Sequence, residues 1–261
     1  MLPSFLLVGG QRCGTTSLHR ALTAHPQVFG ATFHKGVNYF DLNYHRPIDW
    51  YRGHFPRLEP ARRRAAVLGE GTEPMATESS GYYLYHPLAP ERIARDLPEA
   101  RLIMMVRDPV ERAYSAYKHE VARGFESESF ERALELEESR LAGEEERLAT
   151  EPGYLSYPHR HSAYLARGRY AEQLRRLHRA VGPDRVLLVE AERFFADPEP
   201  VYAEVIEFVG LRRWRPATFE QHNARPGSAL SELVRQELAE YFRPHDDDLE
   251  QLLGRPLAWR T

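Results

Sequence analysis

The chain has 261 residues, enough for one α/β domain with a sizeable core, and its 42% hydrophobic and 28% charged residues are typical of a globular protein. A net charge of −3 excludes the strongly basic surface of a general nucleic-acid-binding protein. Because the sequence has one cysteine, no secretory signal pattern and no apolar run near the ~20 residues that span a bilayer, we expect a cytoplasmic protein without a membrane span.

The first third of the chain begins with a strand and a helix. Residues 4–8 form the continuous apolar run of a strand buried on both faces, and a helix follows, with residues 15–17 as its N-terminal cap. Residues 33–60, rich in aromatic residues, predict loops and short helices. Residues 65–68 predict a weak second strand.

Two further apolar runs predict the remaining strands, the clearest over 102–106 and another over 186–189. Strands that alternate with amphipathic helices predict a mostly parallel central sheet flanked by helices, within a single domain over 1–261. Helices are predicted over 90–97, 126–150 (an acidic insertion), 165–181, 200–209 and 231–242.

The glycine-rich turn after the first strand has the shape of a phosphate-binding loop. Gly9, Gly14 and Thr16 fit the pattern G-x-x-x-x-G-K-[ST], but Thr15 stands at the lysine position and the loop carries Arg12 instead. Backbone N–H groups and the dipole of the next helix favour an anion at such a turn. A plain strand-turn-helix capped by threonine is the alternative.

A second anion site is predicted where the strand over 102–106 runs into Arg107. This arginine lies at the carboxyl edge of the sheet, where ligands bind in open α/β folds. Ser115 follows two turns into the next helix and offers a hydroxyl to the same ligand. Arg112 is predicted to be a surface or salt-bridge residue.

These two segments together resemble the sulfotransferases that use 3′-phosphoadenosine 5′-phosphosulfate (PAPS), especially the heparan sulfate sulfotransferases and their bacterial relatives. The resemblance implies a P-loop-like sulfotransferase fold and transfer of a sulfuryl group from PAPS to a hydroxyl or amine of a carbohydrate or small metabolite, without a metal. It extends over nearly the whole chain, through residues 10–18, 38–41, 49–51, 78–84, 102–117, 252–254 and Trp259.

The resemblance also implies a role for each part of the site. Arg107 and Ser115 would hold the 3′-phosphate, and Arg225 lies in a loop that would close over the donor. Arg12 stands where the family has a lysine, and we expect it to stabilise charge on the leaving group because a guanidinium does not readily give up a proton. The residues that would hold the 5′-phosphosulfate are Arg12, Cys13, Gly14, Thr15, Thr16 and Ser17.

The sequence departs from the family at the catalytic glutamate, because that position is Gly36. His119 matches a histidine of the N-sulfotransferase branch and is predicted to be the base, since an imidazole accepts a proton near neutral pH. Lys35 is the second candidate for a catalytic role. The other candidates are His34, His45 and Glu78.

Two other functions remain open from the sequence. A P-loop phosphotransferase needs the missing lysine and an acid that binds Mg²⁺, for which Asp108 is the nearest candidate. A non-catalytic nucleotide-binding protein is consistent with Gly36. The aromatic residues over 39–51 and 82–83 are predicted to be core rather than a sugar-binding wall, and the acidic run 144–146 a solvated face.

Overall fold

The computed structural model describes residues 1–220 and 229–260. Its strands form a single sheet in the order β2-β3-β1-β4-β5, and every neighbouring pair is parallel. The predicted parallel sheet flanked by helices is confirmed. The strands are β1 (Pro3–Gly9), β2 (Val28–Phe29), β3 (Met75–Ser79), β4 (Arg101–Val106) and β5 (Val186–Glu190).

Helices cover both faces of the sheet. Among the described residues, none is long and apolar enough to cross a membrane, and the cytoplasmic location stays a prediction. The helices are α1 (Thr15–Ala24), α2 (Ile48–Arg52), α3 (Leu58–Ala65), α4 (Ala89–Asp96), α5 (Pro109–Ala122), α6 (Phe130–Leu141), α7 (Glu144–Thr150), α8 (Tyr157–His161), α9 (Tyr170–Val181), α10 (Ala191–Ala196), α11 (Pro198–Val209) and α12 (Glu232–Leu253).

Alternating side chains of the central strands fill two hydrophobic layers. Leu6 and Val8 of β1 pack in the layer that contains α4 and α9, whereas Phe5 and Leu7 pack in the layer that contains α1 and α11. This is why the strand has an unbroken apolar run rather than alternation. All four side chains are fully buried, and truncating one such leucine to alanine typically costs about 2–5 kcal/mol.

The order of the strands determines which segments meet at the site. Because β1 lies between β3 and β4, the turn after β1 is flanked by the residues that follow Ser79 and Val106. The N–H of Gly10 donates to the carbonyl of Met105 at 2.5 Å, which joins this turn to the end of β4.

The predicted strand over 65–68 is wrong. Residues Ala66–Leu68 form a 3-10 helix that continues α3 and ends at Gly69, and the strand of this region is β3. No apolar run marks β3, because Thr77 and Glu78 are polar and yet fully buried. Hydrogen bonds to the Glu78 carboxylate, rather than apolar packing alone, accompany its burial.

Two helix predictions differ in length from the structure. The last helix, predicted over 231–242, extends through Pro244 to Leu253. The helix predicted over 165–181 is divided, because Ala166–Gly168 forms a 3-10 helix before α9 begins at Tyr170.

The acidic insertion forms the two helices α6 and α7, but its acids are not all solvated. Glu137 is buried and accepts the N–H groups of Tyr164, Leu165 and Ala166 at 2.7–2.8 Å. Glu144 is also buried and accepts the hydroxyl of Tyr154. The prediction of a solvated face is therefore wrong for Glu144, since its carboxylate holds the following loop.

Candidate active site

The turn after β1 has the backbone geometry of an anion cradle. Gly14 precedes α1 with a φ of 83°, a conformation that favours glycine, and a Cβ there would displace the ring of Phe195, which lies 2.9 Å away. Arg12 also has a left-handed φ of 70°, which costs a non-glycine residue about 1–2 kcal/mol and is typical of functional sites.

The predicted N-cap role of the hydroxyl residues is wrong. The N-cap is Gly14, no side chain caps α1, and Thr15, Thr16 and Ser17 lie inside its first turn. This placement leaves the hydroxyls of Thr15 and Thr16 available to another partner.

That partner is Lys35, which comes from the loop after β2. Its Nζ donates to Oγ1 of Thr15 at 3.0 Å and to Oγ1 of Thr16 at 3.3 Å. A lysine from elsewhere in the chain therefore supplies the cation that the turn itself lacks. Burial lowers the pKa of Lys35 to about 8, so the ammonium is present at neutral pH but close to its titration range.

Side chains at the end of β3 hold the segment that carries Lys35. Glu78 accepts the N–H of Val37 at 2.5 Å, and the hydroxyl of Tyr83 accepts the N–H groups of Tyr39 at 2.7 Å and Phe40 at 3.3 Å. In addition, the N–H of Ser79 donates to the carbonyl of Lys35 at 2.9 Å. The position of Lys35 is thus set by backbone contacts at Lys35 itself and at the residues that follow it.

Glu78 is the centre of these contacts. It is fully buried, and its carboxylate also accepts the hydroxyls of Tyr51 at 2.9 Å and Tyr83 at 2.5 Å. Burial raises the pKa of Glu78, while the hydrogen bonds from Tyr83 and Val37 act in the opposite direction. With all these bonds directed inward, Glu78 supports the loop rather than facing a substrate.

Gly36 packs directly against the end of β3. A Cβ at Gly36 would lie 2.7 Å from the carbonyl oxygen of Ser79 and 2.7 Å from Oγ of Ser80. The loop therefore approaches β3 too closely for any side chain at position 36. This is the physical reason why the family glutamate has no place here.

The structure brings the two predicted anion sites together. Nε of Arg12 donates to Oγ of Ser115 at 3.0 Å, so the turn after β1 meets the helix after β4. Arg107 lies at the end of β4 as predicted, half-exposed, and pairs with Glu111 at 3.4 Å. Glu111 in turn pairs with Arg235 of α12 at 2.6 Å.

Cys13 is fully buried in the turn, and its thiol lies 3.8 Å from the hydroxyl of Tyr170. Burial raises the pKa of Cys13 to about 11, so the thiolate is not populated at neutral pH. Cys13 therefore acts as a small loop residue.

Comparison with known proteins identifies the family. A sulfotransferase domain is matched over residues 2–243. The chain belongs to the sulfotransferase family. It is similar to a sulfotransferase from Alicyclobacillus acidocaldarius, with a TM-score of 0.74 and 30% identity over 100% of both chains.

The predicted resemblance to heparan sulfate sulfotransferases is also confirmed. The chain is 29% identical over 291 residues to the Homo sapiens bifunctional heparan sulfate N-deacetylase/N-sulfotransferase 3, covering 99% of this chain and 31% of that protein. It is 26% identical over 284 residues to the Mus musculus heparan sulfate glucosamine 3-O-sulfotransferase 3B1, covering 99% of this chain and 65% of that protein. The chain thus spans less than a third of the first of these relatives.

In this sulfotransferase domain, His119 lies on α5 one turn after Ser115, half-buried and on the same helix face. Asp108 caps α5 by accepting the N–H of Val110 at 2.9 Å, so its carboxylate has a structural partner. Arg225 lies outside the described residues.

Sequence reasoning missed a buried polar network beside the turn. Nε2 of Gln11 donates to Glu120 at 3.1 Å, and Oε1 of Gln11 accepts Nη1 of Arg167 at 2.6 Å. Arg112, predicted at the surface, is fully buried and donates to the carbonyl of Tyr164, so that prediction is wrong. The position of Gln11 inside the glycine-rich turn was the one available signal.

The rings of Tyr39, Phe40 and Tyr51 are core, as predicted, whereas Trp50 is only partly buried and Tyr82 lines a cavity. The rings of Tyr39 and Tyr51 stack with centroids 4.6 Å apart, and Phe40 meets Tyr51 edge-on at 5.4 Å. Tyr51 and Phe40 are fully buried. These three rings pack around Glu78 and do not form an exposed sugar-binding wall.

Proposed function

We propose that this protein transfers a sulfuryl group from PAPS to a hydroxyl or amine of a carbohydrate acceptor. The observation that carries the proposal is that two cations lie at one glycine-rich turn. Arg12 belongs to the turn, and Lys35 comes from the loop after β2. Membership of the sulfotransferase family supports the reaction, and the named heparan sulfate relatives support the acceptor class.

In the proposed reaction the acceptor atom attacks sulfur in line with the bond to the donor phosphate. The new bond to sulfur forms as the bond between sulfur and the bridging oxygen breaks, and negative charge collects on the leaving phosphate. Arg12 and Lys35 stabilise that charge, and fixed cations aimed at developing charge give large rate gains. Because the Lys35 ammonium donates to two hydroxyls, this role fits it better than removal of a proton.

Binding of the donor product separates this function from the alternatives. We expect 3′,5′-ADP to bind tightly by calorimetry, ATP with Mg²⁺ to bind weakly, and labelled PAPS to transfer sulfate to de-N-sulfated heparin oligosaccharides. Tight ATP–Mg²⁺ binding without sulfate transfer would favour a phosphotransferase. Tight 3′,5′-ADP binding without transfer would favour a nucleotide-binding protein.

Replacing Arg107 with alanine should weaken 3′,5′-ADP binding by roughly 10–150-fold, because a hydrogen bond to a charged group contributes about 1.5–3 kcal/mol. Binding of 5′-AMP, which lacks the 3′-phosphate, should not change. Calorimetry with both nucleotides measures the difference. Arg132→Ala removes an exposed arginine from α6 and serves as the control. Equal losses for the two nucleotides would contradict the assignment of Arg107.

A further inference from the structure

A buried histidine–carboxylate pair lies beside the donor turn. Nδ1 of His161, at the end of α8, is 2.9 Å from Oε2 of Glu120 on α5, and their side chains are only 8% and 2% exposed. An ionised carboxylate can only accept a hydrogen bond, so Nδ1 carries the proton. In the neutral imidazole this leaves the lone pair on Nε2, and Nε2 is then the basic atom.

Glu120 connects this pair to the donor turn. Its Oε1 accepts Nε2 of Gln11 at 3.1 Å, and Gln11 precedes Arg12 in the turn. Burial acts to raise the pKa of Glu120, but the hydrogen bond from His161 and the positive charge of nearby groups such as Arg167 together outweigh it, so this pKa lies below its usual range. The carboxylate is therefore ionised at neutral pH and can hold the imidazole in one orientation.

His161 is one of the residues that line a cavity. The cavity has a volume of about 150 Å³, and Tyr82, His86 and Arg160 also line it. In the part of the chain that the structure describes, His161 hydrogen-bonds to Glu120 through Nδ1, and Nε2 takes no part in that bond.

Tyr82, one of the residues that line the cavity, is next in sequence to Gly81, which packs on the donor turn. A Cβ at Gly81 would lie 3.6 Å from Cα of Gln11. A second cavity of about 400 Å³ is lined in part by the same residues. The residues that line both cavities are Leu42, His86, Leu148 and Leu155. Together the two form a cleft of the size that ligand pockets have.

We propose that His161, oriented by Glu120, is the base of the reaction and that the acceptor lies in this cleft. The inference rests on the proposed sulfuryl transfer. The acceptor O–H or N–H gives its proton to Nε2 of His161 as the acceptor atom bonds to sulfur, and the bridging oxygen leaves with the electron pair of the broken bond. The proton then passes from His161 to solvent. A base held by an orienting carboxylate is a recurrent arrangement in enzymes that activate a hydroxyl.

Other histidines of the region are less suited to this role. Burial lowers the pKa of His86 to about 3, and Nδ1 of His86 already accepts the N–H of Leu88. Burial likewise lowers the pKa of His159 to about 2, and its Nδ1 is bonded to the hydroxyl of Tyr82. His119 remains the rival predicted from the sequence. The groups that face the His161–Glu120 pair are His119, Arg160, Arg167, Tyr82, Phe125 and Tyr157.

Glutamine substitutions separate a base from a structural partner. In His161→Gln the side-chain amide can still donate to Glu120 but cannot take up a proton. With labelled PAPS and de-N-sulfated heparin oligosaccharides, we expect turnover to fall at least a hundredfold while 3′,5′-ADP affinity stays within twofold. The acidic limb of the pH–rate profile should disappear. Glu120→Gln should lower turnover as well, because the amide favours the wrong tautomer of the imidazole.

The matched variants are His119→Gln and His178→Gln. His178 lies half-buried on α9 and controls for the loss of a histidine. If His161→Gln retains turnover within threefold, or if the acidic limb is lost in His119→Gln instead, the inference is overturned while the proposed function stands. If the wild-type protein transfers no sulfate, both fail. Melting curves identify a variant that loses activity by unfolding. If His161→Gln unfolds, the turnover and pH–rate profile of Glu120→Gln decide whether the inference holds.

Discussion

Replacing Lys35 with methionine should lower the rate of sulfuryl transfer by about a hundred- to a thousandfold, the loss typical of removing one preorganised donor from a site where charge develops. The ammonium of Lys35 lies 3.0 Å from the Thr15 hydroxyl at the N-terminus of α1, where the leaving phosphate would be held. Methionine keeps an apolar stem and removes the ammonium, with both its charge and its hydrogen bonds to the threonine hydroxyls. Initial rates with labelled PAPS measure the effect.

The control is Lys118→Met, because the chain has just these two lysines. The ammonium of Lys118 lies 4.4 Å from the ring centroid of Tyr114 and is not bound to the turn. This variant should keep wild-type turnover. If Lys35→Met also stays within threefold of the wild type, Lys35 does not stabilise the leaving group.

The lowered pKa of Lys35 gives an independent test in 3′,5′-ADP binding. Below pH ~8 the ammonium is present and attracts the phosphate, and above it the cation is lost, so affinity should fall as pH rises through about 8. Bound phosphate favours the charged form and moves the fall to somewhat higher pH. In Lys35→Met this dependence should vanish, as measured by calorimetry between pH 6.5 and 9.5. An unchanged alkaline fall in that variant would assign it to another group.

The sequence was sufficient to predict the strands that consist of apolar runs. β1, β4 and β5 consist largely of buried apolar side chains such as Leu6 and Met104. Such a run of apolar residues can be recognised from neighbouring positions in the sequence alone. The sequence was insufficient for β3, because the buried Glu78 is satisfied by Val37 and Tyr51, 41 and 27 positions away, as well as by the nearby Tyr83. Buried polar strands depend on tertiary partners, and no local pattern contains those partners.

The candidate site, like the sheet, was predicted from the sequence only in part. Motif spacing placed Arg12 in the first turn and Arg107 at the end of β4, where the structure has them. The contacts that complete the site join residues far apart in sequence: Arg12 bonds to Ser115 across 103 positions, and Lys35 bonds to Thr15 across 20. The sequence therefore named Arg12, Lys35 and Ser115, whereas their pairing required the fold. It did not single out Gln11, Glu120 or His161.

Substitution of Gly36 by glutamate should inactivate the protein. It should do so although the resemblance to the heparan-type enzymes implies a glutamate at this position. The new Cβ would lie 2.7 Å from the carbonyl oxygen of Ser79 and 3.2 Å from Cα of Ser80, and backbone atoms cannot move aside cheaply. Overpacking of this kind costs roughly 1–3 kcal/mol, which lowers the melting temperature by several degrees. The loop must lift from β3, and Lys35 then leaves the threonine hydroxyls.

Gly36→Ala distinguishes steric from electrostatic causes, because alanine adds the same Cβ without a charge. We expect both variants to lose 3′,5′-ADP affinity to a similar extent, whereas Gly53→Ala, at the end of α2 with an ordinary φ of −61°, should not. A Gly36→Glu protein that is more active than the wild type would mean that the loop has room for the family base. His161 would then not be needed as the base, since a carboxylate at position 36 would act directly on the acceptor.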